Sequence, residues 1–235
     1  MNPLIRLPLE GTTNTRDLGG YPTRDGKATA WQVFLRSDDL HDITDKDKVL
    51  LHEYGLTTVL DLRSTIELTD RPNPYAKDPN VRYHHISLHE AAGQTPPSDL
   101  PYDALKHLYK IILEQSKSQI KAAIEILANS RGVTLFHCAA GKDRTGILAA
   151  LVMGLVNVPN RDIVSNYEVS YTNLRRNAYF KSHKEHHNAM MFSVNDFMEE
   201  TLVYLREQYG NIETYLLSIG VSADDLDALK RKFTV

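Results

Sequence analysis

His137-Cys138-Ala139-Ala140-Gly141-Lys142-Asp143-Arg144-Thr145-Gly146 lies between a β-type run, Val133 to Phe136, and a long apolar run from Ile147 to Val158. That order reads as strand, tight loop, helix. The only cysteine of the 235-residue chain, Cys138, stands at the end of the strand, and Arg144 falls in the first turn of the helix. A helix N-terminus offers unpaired N–H groups and the positive end of the helix dipole. A loop wound just ahead of it adds further N–H groups and forms an anion cradle. Gly141 lets the backbone approach the anion without a Cβ in the way. The Arg144 guanidinium is a planar fork that matches two oxygens of a tetrahedral phosphate. A thiol on the floor of such a cradle ionises easily, since helix N-termini and nearby cations lower a cysteine pKa to roughly 3.5–7.5. The chemistry implied is a thiolate nucleophile facing a bound phosphate. The backbone from Ala139 to Arg144 would hold that phosphate, or sulfate or vanadate in its place.

Cys138 to Thr145 resembles the Cys-x5-Arg-Ser/Thr signature of the protein tyrosine phosphatases, and the form HCxAGKDRTG is closer still to the atypical bacterial group among them. Two further stretches are similar to elements of that group: Asn14-Thr15-Arg16-Asp17-Leu18-Gly19-Gly20, and Asp61-Leu62-Arg63-Ser64 with Glu67. The resemblance implies a cysteine-dependent phosphatase acting on phosphotyrosine-like monoesters through a cysteinyl-phosphate. Dual-specificity and phosphoinositide activity both lie within it, so the substrate is a phosphoprotein or a phosphoinositide. It also implies that Cys138, Arg144, Asp143 and Thr145 are catalytic. Thr145 would bond the thiolate, and His137 would hold the shape of the loop.

Asp143 is odd on electrostatic grounds, since an anion cradle should avoid an acid. It makes sense as a proton donor to the leaving oxygen. The alternative acids are Asp99 and Asp103 upstream, and Asp143 is preferred. Lys142 reads as positive charge at the rim of the pocket. Arg16, Asp17 and Arg63 read as supports behind the loop, with mutual pairing as the plain structural alternative, because buried charges need partners. His183, His186 and His187 sit at helical spacing, and a solvated face explains them better than a metal site. No metal or other cofactor is expected. A nucleotide-binding GxxxxGK[ST] loop is excluded, because Asp143 follows Gly141-Lys142 and Phe136 stands where the first glycine belongs. A rhodanese- or arsenate-reductase-like thiol enzyme would not require Arg144-Thr145-Gly146. A catalytically inactive phosphate-binding module would lack Cys138 or Arg144.

Working outward, Thr44 with Asp47 marks a helix start, and Gly55 its end. Thr57 to Leu62 and Val81 to Ile86 read as strands, as does Trp31 to Arg36. Ser64 would cap a short helix carrying Glu67. Glu90 to Pro101 is a Pro-rich loop. Tyr102 to Gln115 reads as a helix with Leu105, Leu108, Ile111 and Ile112 on one face, and Ile120 to Leu127 follows. After Pro159 the pattern is helical throughout: Asp162 to Leu174, Val194 to Gln208, Ile212 to Leu217 and Ala223 to Lys232. The expectation is an α/β fold, with a mostly parallel central sheet flanked by helices, in one phosphatase domain over residues 1–235. A basic, Met- and Phe-containing stretch, Arg175 to Phe192, would make a helical lid or extension within about residues 160–210, similar to that of some family members.

The net charge of −3 gives no bulk attraction to nucleic acid or membrane. A single cysteine excludes an internal disulfide and fits a reducing compartment. No run approaches the ~18 apolar residues of a membrane span, and the N-terminus lacks the apolar core of a signal peptide. The chain therefore reads as cytoplasmic, with export by a route that needs no signal peptide left open.

Overall fold

The computed structural model describes residues 2–88, 102–176 and 195–235, with the backbone alone over 102–106. Its sheet has the order β1-β2-β5-β3-β4, formed by β1 (Arg16–Asp17), β2 (Phe34–Ser37), β3 (Leu56–Asp61), β4 (Arg82–His85) and β5 (Val133–His137). β1 runs antiparallel to β2, and every other pairing is parallel. The α/β expectation with a mostly parallel sheet therefore holds. Side chains alternate along the central strands. Leu35, Val59 and Leu135 enter one core, and Phe34, Leu60 and Phe136 enter the other. Both faces are covered, which is why these strands read as continuous apolar runs.

The smaller core holds α1 (Asp45–Glu53). Thr44 caps it in a reciprocal box with Asp47, and Gly55 follows at φ +101°. The same box recurs at α2 (Thr65–Asp70), between Ser64 and Glu67. The larger core lies under α3 (Tyr102–Gln115), α4 (Lys117–Asn129), α5 (Asp143–Leu155), α6 (Asn160–Leu174), α7 (Asn195–Tyr209), α8 (Ile212–Ser218) and α9 (Ala223–Phe233). Helix α5 runs through the middle of it, and its residues Ile147 to Met153 are all buried. Such a helix is apolar all round because it has no solvent face.

The C-terminal helices are part of this body. Helix α7 packs on α3 and α6, and Phe233 stacks edge-on against Phe34 at 4.9 Å. Beyond α9 the chain pairs with the N-terminal segment through Ala28 N–H to Val235 O and Val235 N–H to Ala28 O. The lid expected over Arg175 to Phe192 falls almost wholly on residues 177–194, outside the described residues, as do His183, His186, His187 and the loop from Glu90 to Pro101. No described helix is long and apolar enough to cross a membrane.

Two element expectations need correction. The strand expected from Trp31 begins only at Phe34, because Gln32 takes a left-handed φ of +60° and the chain turns there. On α3 the buried face is Tyr109, Ile112 and Leu113, whereas Ile111 is exposed. Leu151 is fully buried in the middle of α5. Leu151→Ala should lower unfolding stability by about 2–5 kcal/mol, read from urea denaturation, while leaving the urea m-value unchanged.

Candidate active site

The loop between β5 and α5 is held from outside by its carbonyls. Leu62 N–H donates to His137 O at 2.8 Å and Asp39 N–H to Ala139 O at 2.9 Å. Asn14 Nδ2 donates to Ala140 O at 3.0 Å and to Gly141 O at 3.2 Å. Arg36 donates to Gly141 O at 2.8 Å and to Lys142 O at 3.4 Å. His137 Nδ1 lies 3.2 Å from Cys138 O. A trans peptide carries its C=O and the following N–H on opposite sides. With the carbonyls of Cys138 to Lys142 turned outward, the N–H groups of Ala139 to Asp143 turn inward. Gly141 sits at φ +64°, and a Cβ there would fall 2.3 Å from Ser37 O, so no side chain is tolerated. Lys142, in the N-cap position of α5, makes no side-chain cap, which leaves that helix end for an anion. Cys138 is 2% exposed, on the floor of the loop.

Arg144 extends from the first turn of α5 to Glu67, which grips it end-on at 2.6 Å and 2.8 Å. Glu67 reaches there because Ser64 caps α2, and the same carboxylate accepts Ser64 N–H at 2.7 Å. Burial works against the Arg144 charge, but the hydrogen bonds to Glu67 and the charges of Cys138, Glu67 and Asp143 raise its pKa above the ordinary value. Behind the loop, Arg63 forms a bidentate pair with Asp61 and reaches Asp39 at 2.9 Å. Asp61 also meets Asn73 and lies 3.3 Å from His137 Nε2. Burial opposes the Asp61 charge, yet His137 and Arg63 hold its carboxyl far below the usual carboxylate range. Arg63 and His137 thus stand directly behind the loop.

Arg16 and Asp17 do not join this network. Arg16 bonds to Asn14, to Asn166 O at 2.7 Å and to Ser170 Oγ at 2.9 Å. Asp17 accepts from Tyr54 OH at 2.7 Å and from the amides of Gly19 and Gln32. Mutual pairing of Arg16, Asp17 and Arg63 is therefore wrong, because neighbouring strand residues point to opposite faces. Arg16 still serves the loop indirectly, by fixing the Asn14 that holds two loop carbonyls.

Asp143 is 19% exposed at its side chain, with Lys142 Nζ 3.2 Å from its Oδ1. Lys142 itself is 1% exposed, so it is not the rim charge expected. Thr145 Oγ1 is buried without a hydrogen-bond partner among the described residues, and the expected bond to Cys138 is not formed. Asp99 lies outside the described residues, as does the side chain of Asp103.

Several site residues escaped sequence reasoning. Arg36 looked like the end of a strand, although an arginine directly after the apolar run Val33-Phe34-Leu35 was a signal that it must have partners. Asn14 and Glu67 lay inside recognised motifs without an assigned task. Tyr109 carried no sequence signal at all. Glu67→Gln keeps the oxygen that caps α2 but removes the carboxylate from Arg144. It should lower kcat/KM by about 10–100-fold, measured with an aryl phosphate. A value within twofold of the parent would mean that other contacts place Arg144.

Comparison with known proteins agrees with this geometry. Residues 7–235 match the model of the tyrosine phosphatase family. A tyrosine-protein phosphatase of Nostoc commune is 34% identical over 84% of this chain and 73% of its own length. The triple specificity protein phosphatase PtpB of Mycobacterium tuberculosis is 27% identical over 68% of this chain and 67% of its own. The crystal structure of P. aeruginosa TpbA aligns loosely, with 13% identity and a TM-score of 0.37 over 82% of this chain and 89% of that one. With a family match spanning nearly the whole sequence and the signature loop folded as a cradle around its cysteine, the chain belongs to the tyrosine phosphatase family.

Proposed function

We propose that this phosphatase works by two in-line displacements at phosphorus, with its single domain supplying every reacting group. The observation that carries the reading is the set of loop carbonyls tied outward around Cys138, which aims consecutive amides at one point. In the first step the Cys138 thiolate attacks phosphorus, and the S–P bond forms as the P–O bond to the leaving group breaks. The inward amides and Arg144 hold the equatorial oxygens. Glu67 occupies the NH1/NH2 end of Arg144, so the Nε/NH2 edge serves two phosphate oxygens. Asp143 gives its proton to the leaving oxygen. In the second step water attacks phosphorus, Asp143 takes a proton from it, the S–P bond breaks, and inorganic phosphate leaves behind the Cys138 thiolate. Thr145 donates to the departing sulfur, a role that fits its buried and unpartnered hydroxyl.

The proposed substrate class is phosphotyrosine-like monoesters, with dual-specificity or phosphoinositide activity as the two extensions that the same site admits. One relative is described as a triple specificity protein phosphatase, which supports a range wider than phosphotyrosine. A panel of phosphotyrosine, phosphoserine and phosphothreonine peptides with phosphoinositides ranks the candidates by kcat/KM. Cys138→Ser should abolish turnover while retaining phosphate binding, and activity within about tenfold of the parent would overturn the mechanism. Vanadate and peroxide should inhibit, and EDTA should not.

The acid is tested separately. Asp143→Asn should slow phosphotyrosine and alkyl phosphates by about 10²–10⁴-fold and spare activated aryl phosphates, whose leaving group needs no proton. The rate normally falls as pH rises and the acid loses its proton, so the alkaline limb of the profile should flatten in the variant. Persistence of that limb would move the acid to Asp99 or Asp103.

A further inference from the structure

Among the described side chains of helix α3, Tyr109 reaches the active site through its hydroxyl. Tyr109 OH lies 2.5 Å from Asp143 Oδ1, and Tyr167 OH of α6 lies 2.7 Å behind it. Both tyrosines are fully buried, with rings edge-to-face at 6.2 Å, and Phe197 of α7 packs edge-on against Tyr109 at 6.5 Å. Burial, and then the charge of Asp143, raise the Tyr109 pKa well above its ordinary value, so the hydroxyl keeps its proton and donates it to the carboxylate. Tyr167 in turn donates to Tyr109, because the Tyr109 proton is already committed.

We propose that Tyr109 is the positioning residue of the general acid: it fixes Asp143 Oδ1, so that Oδ2 is the oxygen that carries the proton to the leaving group. The inference rests on the acid reading of Asp143. Among the described residues Oδ1 accepts the Tyr109 hydrogen bond and is the oxygen nearest Lys142 Nζ, at 3.2 Å, while Oδ2 accepts no hydrogen bond. A carboxylate tethered at one oxygen turns about that contact. The tether confines the proton-bearing oxygen to the small range of positions that in-line departure requires. An aspartate in the first turn of a helix otherwise samples several rotamers, including ones that point to solvent.

The charged and titratable groups around Asp143 are Lys142, Arg144 and Cys138 of the loop and α5, Tyr109 of α3, and, behind the tyrosines, Tyr167 of α6 and Arg36 of β2. A phenylalanine at 109 keeps the ring and removes both hydrogen bonds of the hydroxyl, to Asp143 and to Tyr167.

The test is Tyr109→Phe in the full chain, with kcat followed across pH for phosphotyrosine and for an activated aryl phosphate. The expected result is a fall of about 10–100-fold in kcat for phosphotyrosine, the size of one hydrogen bond to a charged group. The activated substrate should be nearly unaffected. A purely structural role would depress both substrates alike, which would overturn the proposal. Tyr167→Phe, which leaves the Tyr109 hydroxyl on Asp143, should give a smaller effect of the same kind and shows whether a core variant at this spot folds. The double variant Tyr109→Phe with Asp143→Asn should be no slower on phosphotyrosine than Asp143→Asn alone, and additive losses would also overturn the proposal. If Asp143→Asn shows the leaving-group dependence and Tyr109→Phe does not, the positioning role fails and the acid stands. If Asp143→Asn shows none, both fail.

Discussion

A peptide group cannot turn its carbonyl one way without turning its amide the other, and the catalytic loop is built on that constraint. The partners that fix its carbonyls come from far apart in the chain: Asn14 precedes β1, Arg36 is in β2, Asp39 follows it, and His137 is itself anchored beside Asp61 of β3. The cradle is therefore a tertiary object. A ten-residue peptide of the same sequence would lack the groups that aim its amides. The long loop closures involved carry an entropic cost that only the completed core offsets.

The same arrangement concentrates positive charge beneath the thiol. Arg36 is 1% exposed and forms no salt bridge among the described residues; it bonds instead to Asn166 Oδ1 and to the loop carbonyls. Burial lowers its pKa to about 10, and the Cys138 charge is the largest influence holding it up. Arg16 is buried too and hydrogen-bonds to neutral groups, with the charge of Asp38 supporting it and that of Arg36 opposing it. Cations kept from water without carboxylates are costly unless an anion comes near. Around Arg63, by contrast, Asp61 and Asp39 balance the charge and brace His137. One side of the loop is electrically closed and the other is left positive.

The parts of this design legible in the sequence are the local ones. The Thr44 cap with Asp47 and the Ser64 cap are written within four residues, and both form as read, with Glu67 closing the second into a box. The run from Val133 to Val158 gives strand, loop and helix because hydrophobicity and glycine placement act over a few positions. What stayed hidden depends on who sits opposite. The burial of Lys142, the Glu67 grip on Arg144 and the Tyr109 contact with Asp143 each join segments tens of residues apart. Gln32 shows the limit from the other direction: alternation from Trp31 suggested pairing, but Asp17 draws the Gln32 amide to itself and the strand starts later. Ile111 was misplaced because α3 buries the stripe through Tyr109, and a tyrosine with its hydroxyl bonded counts as apolar there.

The unpaired charge of Arg36 also bears on folding thermodynamics. An anion bound in the loop relieves Arg36 only in the native state, so phosphate or sulfate acts as a linked ligand of folding. Native stability then grows as RT ln(1 + [L]/Kd), about 2.7 kcal/mol when the anion stands at a hundred times its dissociation constant. The melting temperature of this protein is thus a property of the protein and its buffer together. A phosphate buffer and a zwitterionic one of equal pH and ionic strength would rank the same loop variants differently, because a variant that loses the anion also loses the linked increment.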